Sequence, residues 1–149
     1  MGHIPAGTQW YIAELVEEIT VSSDPRNVVH RNLVLIRADS PDEAYDKAIK
    51  LGYRGETSYD NPIGQLVQIK FRGLADLDVV YDEPEDGAEL LFHREIGVAP
   101  DELAKLLRPR DKLRVFQPPK QHEGPDYSSK EVLDEVERQF GTKRPEPQQ

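Results

Sequence analysis

The stretch of residues 28–52 constrains the fold more than any other part of the chain. It begins with a run rich in β-branched side chains, which predicts a strand. Ser40 follows with the spacing of a helix N-cap, because Pro41 stands in the first turn and Glu43 comes three residues after the serine. We predict that the helix ends at Gly52, since glycine readily adopts the left-handed conformation at a helix end. The helix face expected to pack on a sheet carries Ala44, Tyr45, Ala48, Ile49 and Leu51.

Two further stretches predict strands with different surroundings. Residues 9–21 are apolar on both faces near their start, which is typical of a central strand. Residues 66–74 begin with period two, with Val67, Ile69 and Phe71 on one side and polar side chains on the other. A strand with one wet face favours an antiparallel sheet that a helix covers on its other face. The predicted fold class is α+β: an antiparallel sheet of four to six strands with a helix packed on one face, plus a C-terminal helix on a linker.

Shorter patterns predict the elements that lie between and after these strands. They indicate a loop, a hairpin, a short helix and a last short strand, over residues 53–64, 77–96, 100–107 and 113–116. The hairpin would turn at residues 84–87. The short helix is expected to bury an apolar stripe of Leu103, Leu106 and Leu107.

Composition separates a domain from a C-terminal extension. Pro118 and Pro119 favour an extended linker, and Ser128 and Glu131 have capping-box spacing at the start of an apolar helical stripe. The predicted organisation is a flexible N-terminus, an α+β domain, a linker, a C-terminal helix and a disordered tail, over residues 1–9, 10–116, 117–127, 128–140 and 141–149.

The negative charge of the chain is concentrated in one window. The formal net charge is −9, and residues 76–89 contain seven Asp or Glu residues and no Lys or Arg. Nucleic-acid binding is disfavoured, because it requires basic side chains that neutralise phosphate. The window is either a solvated loop or a negatively charged surface that attracts a basic protein partner. The candidate partner-binding residues in it are Asp82, Glu83, Glu85 and Asp86.

The predicted loop after the helix is a second candidate binding surface. Tyr53, Arg54 and Tyr59 lie close together in the sequence, and tyrosine and arginine are over-represented among interface hot spots. The alternative is that both tyrosine rings cover the edge of the core with their hydroxyl groups in water.

The sequence lacks the familiar patterns of catalytic and metal-binding sites. There is no Cys, which excludes disulfides and thiolate chemistry. His93 and Glu95 would share a strand face, and His30 would have to join them from another strand, since zinc needs three or four ligands. The turn at 82–87 does not match a calcium loop, because Pro84 stands where an oxygen ligand is needed. We therefore expect no metal, no cofactor and no catalytic residues.

Three glutamates of the first predicted strand are interpreted as surface salt partners: Glu14, Glu17 and Glu18. Glu14 and Glu18 share a face, but four residues along a strand separate them by roughly 13 Å. That separation is too large for the usual acid pair of a glycosidase.

Four short patterns, spread over strands and turns, resemble the family called domain of unknown function 4288. They are WYIAEL at 10–15, the strand 33–37 followed by DEAY at 42–45, FRGLADL at 71–77, and EDGAEL at 85–90. The likeness covers about residues 10–96. The resemblance implies a small, soluble, bacterial domain, and it implies no activity.

These observations favour a non-enzymatic binding or protein-interaction module. A specific version is an inhibitor or immunity-type protein that neutralises a basic partner. One alternative is a small enzyme or metal-binding protein with a site around His30 and His93, and another is a structural subunit of a homo-oligomer. We expect a cytoplasmic protein, monomeric or homodimeric, with no membrane span, because no apolar run approaches about 18 residues.

Overall fold

A computed structural model describes residues 7, 9–119 and 123–129. Within these residues, four strands and one long helix form the body of the fold, followed by one short helix and two single 3₁₀ turns. In chain order they are β1 (Trp10–Val21), β2 (Val28–Arg37), α1 (Pro41–Arg54), β3 (Thr57–Asp60), β4 (Leu66–Val80), α2 (Pro100–Leu106) and the 3₁₀ turns Arg110–Lys112 and Arg114–Phe116.

The strands form one antiparallel sheet in the order β2-β1-β4-β3. β1 is central and pairs along its length with both neighbours, so that Tyr11 lies opposite Ile36 on β2 and Val79 on β4. The predicted α+β class and the central position of the first strand are therefore confirmed. β2 is an edge strand, and β3 forms the short opposite edge.

We call the side of the sheet that carries α1 the front face and the opposite side the back face. The main core cluster lies on the front face beneath the helix and consists of Tyr11, Ala13, Leu15, Ile36, Ala38, Ala44, Ala48, Phe71 and Val79. Val67 and Phe71 are buried and Ile69 is half-buried, while Gln68 and Lys70 are exposed, which confirms the predicted faces of that strand. Tyr45 was expected to pack on the sheet, but it is 52% exposed at the margin of the helix.

The start of α1 follows the predicted capping pattern. The Ser40 Oγ accepts a hydrogen bond from the Glu43 amide at 3.1 Å, and Glu43 Oε2 accepts from the Asp39 amide at 3.3 Å. Two backbone donors that the first turn leaves without helical partners are thus satisfied.

The predicted end of α1 at Gly52 is wrong, because the helix continues to Arg54 and is capped by Gly55. Gly52 is buried inside the helix where the helix crosses β4. A Cβ added to it would lie 2.4 Å from Cε1 of Phe71. The glycine therefore allows close packing of the helix on an aromatic ring, and it does not terminate the helix.

Two β-bulges shape β4 against the central strand. The register shifts between Glu14 and Leu15 and again between Val16 and Glu17, and Gly73 within this region has φ of 130°. Each bulge adds one residue to β4 and reverses which side the next side chains face. As a result Leu74 packs against the front-face core together with Phe71.

Several predictions for shorter elements are wrong. The predicted loop contains β3, which pairs with β4. The predicted hairpin is absent: its first strand is the end of β4, and residues 88–96 form no strand. The predicted strand at 113–116 is also absent, since Arg114–Phe116 forms a 3₁₀ turn. The leucine stripe predicted to be buried on α2 is exposed.

A second core cluster lies on the front face beyond the helix and consists of Ile19, Val21 and Val67. Residues 123–129, which we call the C-terminal segment, dock there. Pro125 is buried, Tyr127 packs against the cluster, and the Tyr59 hydroxyl donates to the Tyr127 carbonyl. The buried Asn61 side chain donates to the Asp126 carbonyl at 3.0 Å. The predicted helix beyond Ser129 and the predicted tail lie outside the described residues.

Replacing Gly52 with Ala should destabilise the fold by about 1–3 kcal/mol, because the new methyl group overpacks against Phe71. In an exposed helix interior the same change would stabilise by about 1 kcal/mol, because alanine has the higher helix propensity. The sign of the change in the free energy of unfolding therefore distinguishes overpacking from helix propensity. Urea denaturation followed by circular dichroism measures the change. Phe71→Leu should reduce the penalty when combined with Gly52→Ala. A stabilising Gly52→Ala would contradict the close contact.

Replacing Tyr127 with Ala should destabilise the fold by about 1–3 kcal/mol, because it uncovers the second cluster. The matched control is Tyr81→Ala, since Tyr81 is 66% exposed and its loss should change stability by less than about 0.5 kcal/mol. Thermal unfolding of both variants measures the difference. Equal effects would show that the C-terminal segment contributes no stability.

Candidate functional site

The back face of the sheet carries exposed apolar side chains along the edge strand β2. Val29, Leu33 and Leu35 are exposed, with Leu33 at 58%. Residues 91–93 lie along part of this face, and Leu91 and Phe92 are themselves exposed. Contiguous apolar surface of this kind marks interaction sites more often than ordinary solvated surface.

A groove of about 260 Å³ on the back face joins this apolar surface to acidic side chains. Its walls are Ile12, Glu14, Arg31, Leu33, Asp76, Asp78, Leu91, Phe92 and His93. Glu14 lies opposite Asp76 in the strand register and forms an ion pair with Arg31 at 2.8 Å. Within the described residues, Asp76 and Asp78 form no ion pair, and each uses one carboxylate oxygen to accept the backbone amide of the next residue. The groove therefore combines three carboxylates with one paired arginine.

The four acidic residues predicted to bind a partner lie in the turn that follows β4, and all are exposed. Asp82 Oδ2 accepts the Glu89 amide at 3.1 Å, and Glu83 Oε2 accepts the Trp10 indole N–H at 3.2 Å. Glu85 and Asp86 lie at the tip, where Gly87 has φ of 86°. The turn thus continues the acidic surface that begins with Asp76 and Asp78.

The structure places Tyr53, Arg54 and Tyr59 in different surroundings. Tyr53 is in the last turn of α1 and packs edge-on against Phe71, with ring centroids 5.2 Å apart. Arg54 is exposed at the end of the helix. Tyr59 is on β3 and faces the C-terminal segment, where burial and then the nearby Tyr127 and Asp126 raise the pKa of its phenol. Tyr53 therefore covers the edge of the core, and Tyr59 belongs to another site.

His30 and His93 line different cavities. His30 is adjacent to Arg31 on β2, so alternation puts its side chain on the front face, while His93 lines the back-face groove. Among the residues that the structure describes, no group of three or more His, Cys, Asp or Glu side chains could hold a metal ion. The sheet thus separates the two histidines that the enzyme alternative would need together.

A larger cleft of about 420 Å³ opens on the front face beside the second core cluster. It is lined by Glu17, Ile19, His30, Tyr59, Ile69, Pro125, Asp126, Tyr127 and Ser128. Glu17 lies opposite His30 in the register, and Tyr127 Oη lies 3.3 Å from Nε2 of His30. Sequence reasoning missed this cleft because one wall comes from the C-terminal segment, which was predicted to be the end of a linker and the start of a helix. The signal in the sequence was Glu17, which interrupts the apolar side of β1.

The interpretation of the three β1 glutamates as salt partners holds for two of them. Glu14 pairs with Arg31, and Glu18 pairs with Arg72. Hydrogen bonds from Asn27 and Arg72 lower the pKa of the Glu18 carboxyl. Glu17 forms no ion pair within the described part of the chain, and its Oε2 accepts a hydrogen bond from the side-chain Nδ2 of Asn32 at 3.0 Å.

Comparison with known proteins gives one family. No helix among the described residues is long and apolar enough to cross a membrane. Neither a search of curated proteins nor a search of solved structures found a match to the chain. A family model described as Domain of unknown function (DUF4288) matches residues 10–92, which include the whole sheet, α1 and most of the back-face groove. Because this match spans more than half of the sequence, the chain belongs to the DUF4288 family.

Proposed function

We propose that this protein is a non-enzymatic binding module whose back face docks a basic, partly apolar protein partner. The observation that supports the proposal is the groove in which Asp76 and Asp78 lie beside exposed apolar side chains of β2. Apolar contact supplies affinity, and carboxylates at its margin select a partner of opposite charge. An inhibitor or immunity-type protein acting on a basic partner is the specific form of this proposal.

Electrostatics favour such a partner at the groove and at the acidic turn. The acidic turn at residues 82–86 extends the negative surface beyond the groove, and the chain carries a net charge of −9. Clustered charge attracts an oppositely charged protein before contact and raises the association rate. A bacterial cytoplasm is the proposed setting, an expectation that rests on the family resemblance and on a sequence without cysteine.

A second candidate function is that of a homo-oligomer subunit, and a specific feature of the chain favours it. Residues 105–114 contain five basic residues and one acidic residue. The same stretch and its neighbours expose Leu106, Leu107 and Val115. A basic and apolar segment of one copy therefore complements the acidic and apolar back-face groove of another copy. In this case the basic partner of the first proposal would be the protein itself.

Asp76→Asn/Asp78→Asn should abolish partner binding, because asparagine keeps the acceptor for the backbone amide but removes the charge. The matched control is Asp46→Asn/Asp60→Asn, which removes the same charge from exposed positions outside the groove. The unmodified protein, the groove variant and the control variant each serve as bait for affinity capture from the host. Mass spectrometry then identifies a protein that the unmodified chain and the control capture but the groove variant does not. Identical captures by the groove variant and the control would refute the proposal.

Neutralising the acidic turn should slow association with the captured partner by about tenfold or more at low salt. The variant is Asp82→Asn/Glu83→Gln/Glu85→Gln/Asp86→Asn, whose amides can still accept the hydrogen bonds of the turn. Biosensor kinetics at several salt concentrations should show a smaller difference as salt rises, because exposed charges are screened beyond about 8 Å at physiological ionic strength. An unchanged association rate would show that the turn is only a solvated loop.

The second candidate function, a subunit of a homo-oligomer, is tested by measuring the particle mass of the 17.0 kDa chain by light scattering. Self-association through the back face predicts a dimer mass that falls to the monomer mass in the variant Arg108→Glu/Arg110→Glu. Mixing that variant with Asp76→Lys/Asp78→Lys should restore the dimer, since the exchanged charges are again complementary. A monomer mass for the unmodified chain would eliminate this candidate and leave the first proposal standing.

A further inference from the structure

The front-face cleft has the components of a ligand site and lies apart from the proposed docking face. Its volume of about 420 Å³ falls in the range of small-molecule pockets, roughly 300–1,000 Å³. Ile19 and Ile69 form an apolar floor, and the side chains of His30, Tyr59 and Tyr127 form aromatic walls. A few polar groups on an apolar and aromatic lining are typical of sites that hold and orient small ligands.

The described lining of the cleft is negatively charged. Among the residues that the structure describes, it contains the carboxylates of Glu17 and Asp126 and no Lys or Arg. Asp126 uses Oδ1 to accept the Ser128 amide at 3.0 Å, so this carboxylate also holds the backbone of the C-terminal segment. Glu17 is half-buried beside the apolar floor and forms no ion pair within the described residues. An anionic ligand would be repelled here, and a cationic one would be attracted.

The C-terminal end of α1 strengthens the preference of the cleft for a cationic ligand. Gly55 lies so close to Glu17 that an added Cβ would be 3.1 Å from Oε1. The C-terminal end of a helix carries partial negative charge on its terminal carbonyl groups. Glu17 therefore lies in a region that is already negative, and the side-chain amide of Asn32 is the only hydrogen-bond donor to its carboxylate among the described residues. A cation bound at this carboxylate would offset both contributions.

We propose that the cleft binds a small organic cation, a protonated amine attached to an aromatic or short aliphatic body. The ammonium group would pair with Glu17, and the body would lie on Ile19 and Ile69 between the aromatic walls. Tyrosine rings next to a carboxylate suit such a ligand, because the ring face attracts a cation and the ring surface packs against apolar atoms. This site is independent of the proposed back-face function, since the sheet lies between them.

Tyramine and tyrosol test the proposal on the full, unmodified chain. The two molecules share a phenol ring and a two-carbon arm, and they differ in an ammonium group against a hydroxyl group. Nuclear magnetic resonance spectra of isotope-labelled protein report the binding at each backbone amide. Titration with tyramine should give saturable chemical-shift changes at residues 17–19, 30, 59 and 69. Tyrosol should bind about tenfold more weakly or worse, the difference expected for one charge-assisted hydrogen bond.

Glu17→Gln should weaken tyramine binding by about tenfold and remove its advantage over tyrosol, because glutamine keeps the acceptor without the charge. Glu18→Gln is the matched control, since Glu18 is the next residue but points to the opposite face and pairs with Arg72. Equal affinities for tyramine and tyrosol in the unmodified chain would overturn the proposal. So would the absence of saturable shifts at about 10 mM, a concentration that fills a site of millimolar Kd.

Discussion

The difference in length between the central strand and the helix that packs on it determines most of this structure. β1 has 12 residues and is about 40 Å long at roughly 3.3 Å per residue. α1 has 14 residues and is about 21 Å long at 1.5 Å per residue. The helix can therefore cover only about half of the front face. Among the described residues, the C-terminal segment packs on the other half and lines the cleft beside Glu17.

The back face differs from the front face, because α1 does not cover it and its exposed side chains are both apolar and charged. An antiparallel sheet with one packed face usually has a polar outer face. Here β2 instead presents Leu33 and Leu35 to solvent, while β1 and β4 contribute Glu14, Asp76 and Asp78. Exposed apolar surface beside carboxylates has the chemistry expected of a site for a basic and partly apolar partner, which is the proposed role of the groove. Alternation along the strands keeps this chemistry separate from that of the front-face cleft.

The sequence was sufficient to predict structure that depends on neighbouring residues. It was insufficient for features that depend on packing between residues distant in the sequence. Capping by Ser40 and the period of residues 66–71 predicted α1 and the start of β4 correctly, because both depend on near neighbours. Gly52 was assigned to a helix end, since a single sequence does not show that Phe71 packs against it. The bulges of β4 and the docking of Tyr127 depend on contacts between residues distant in the sequence. The cleft was missed for the same reason, whereas the acidic window was visible from composition.

Tyr127 couples the stability of the fold to the proposed cleft. Its carbonyl accepts the Tyr59 hydroxyl and its ring meets the His30 ring edge-on, with centroids 5.4 Å apart, so one docked residue covers the core and forms a wall. A ligand that binds only when this wall is in place stabilises the docked state, by about 2.7 kcal/mol at a hundred times its Kd. Conversely, the apparent affinity falls by the fraction of molecules in which the segment is undocked. Docking of the C-terminal segment and occupation of the cleft are therefore linked equilibria, and a change at Tyr59 or Tyr127 alters both.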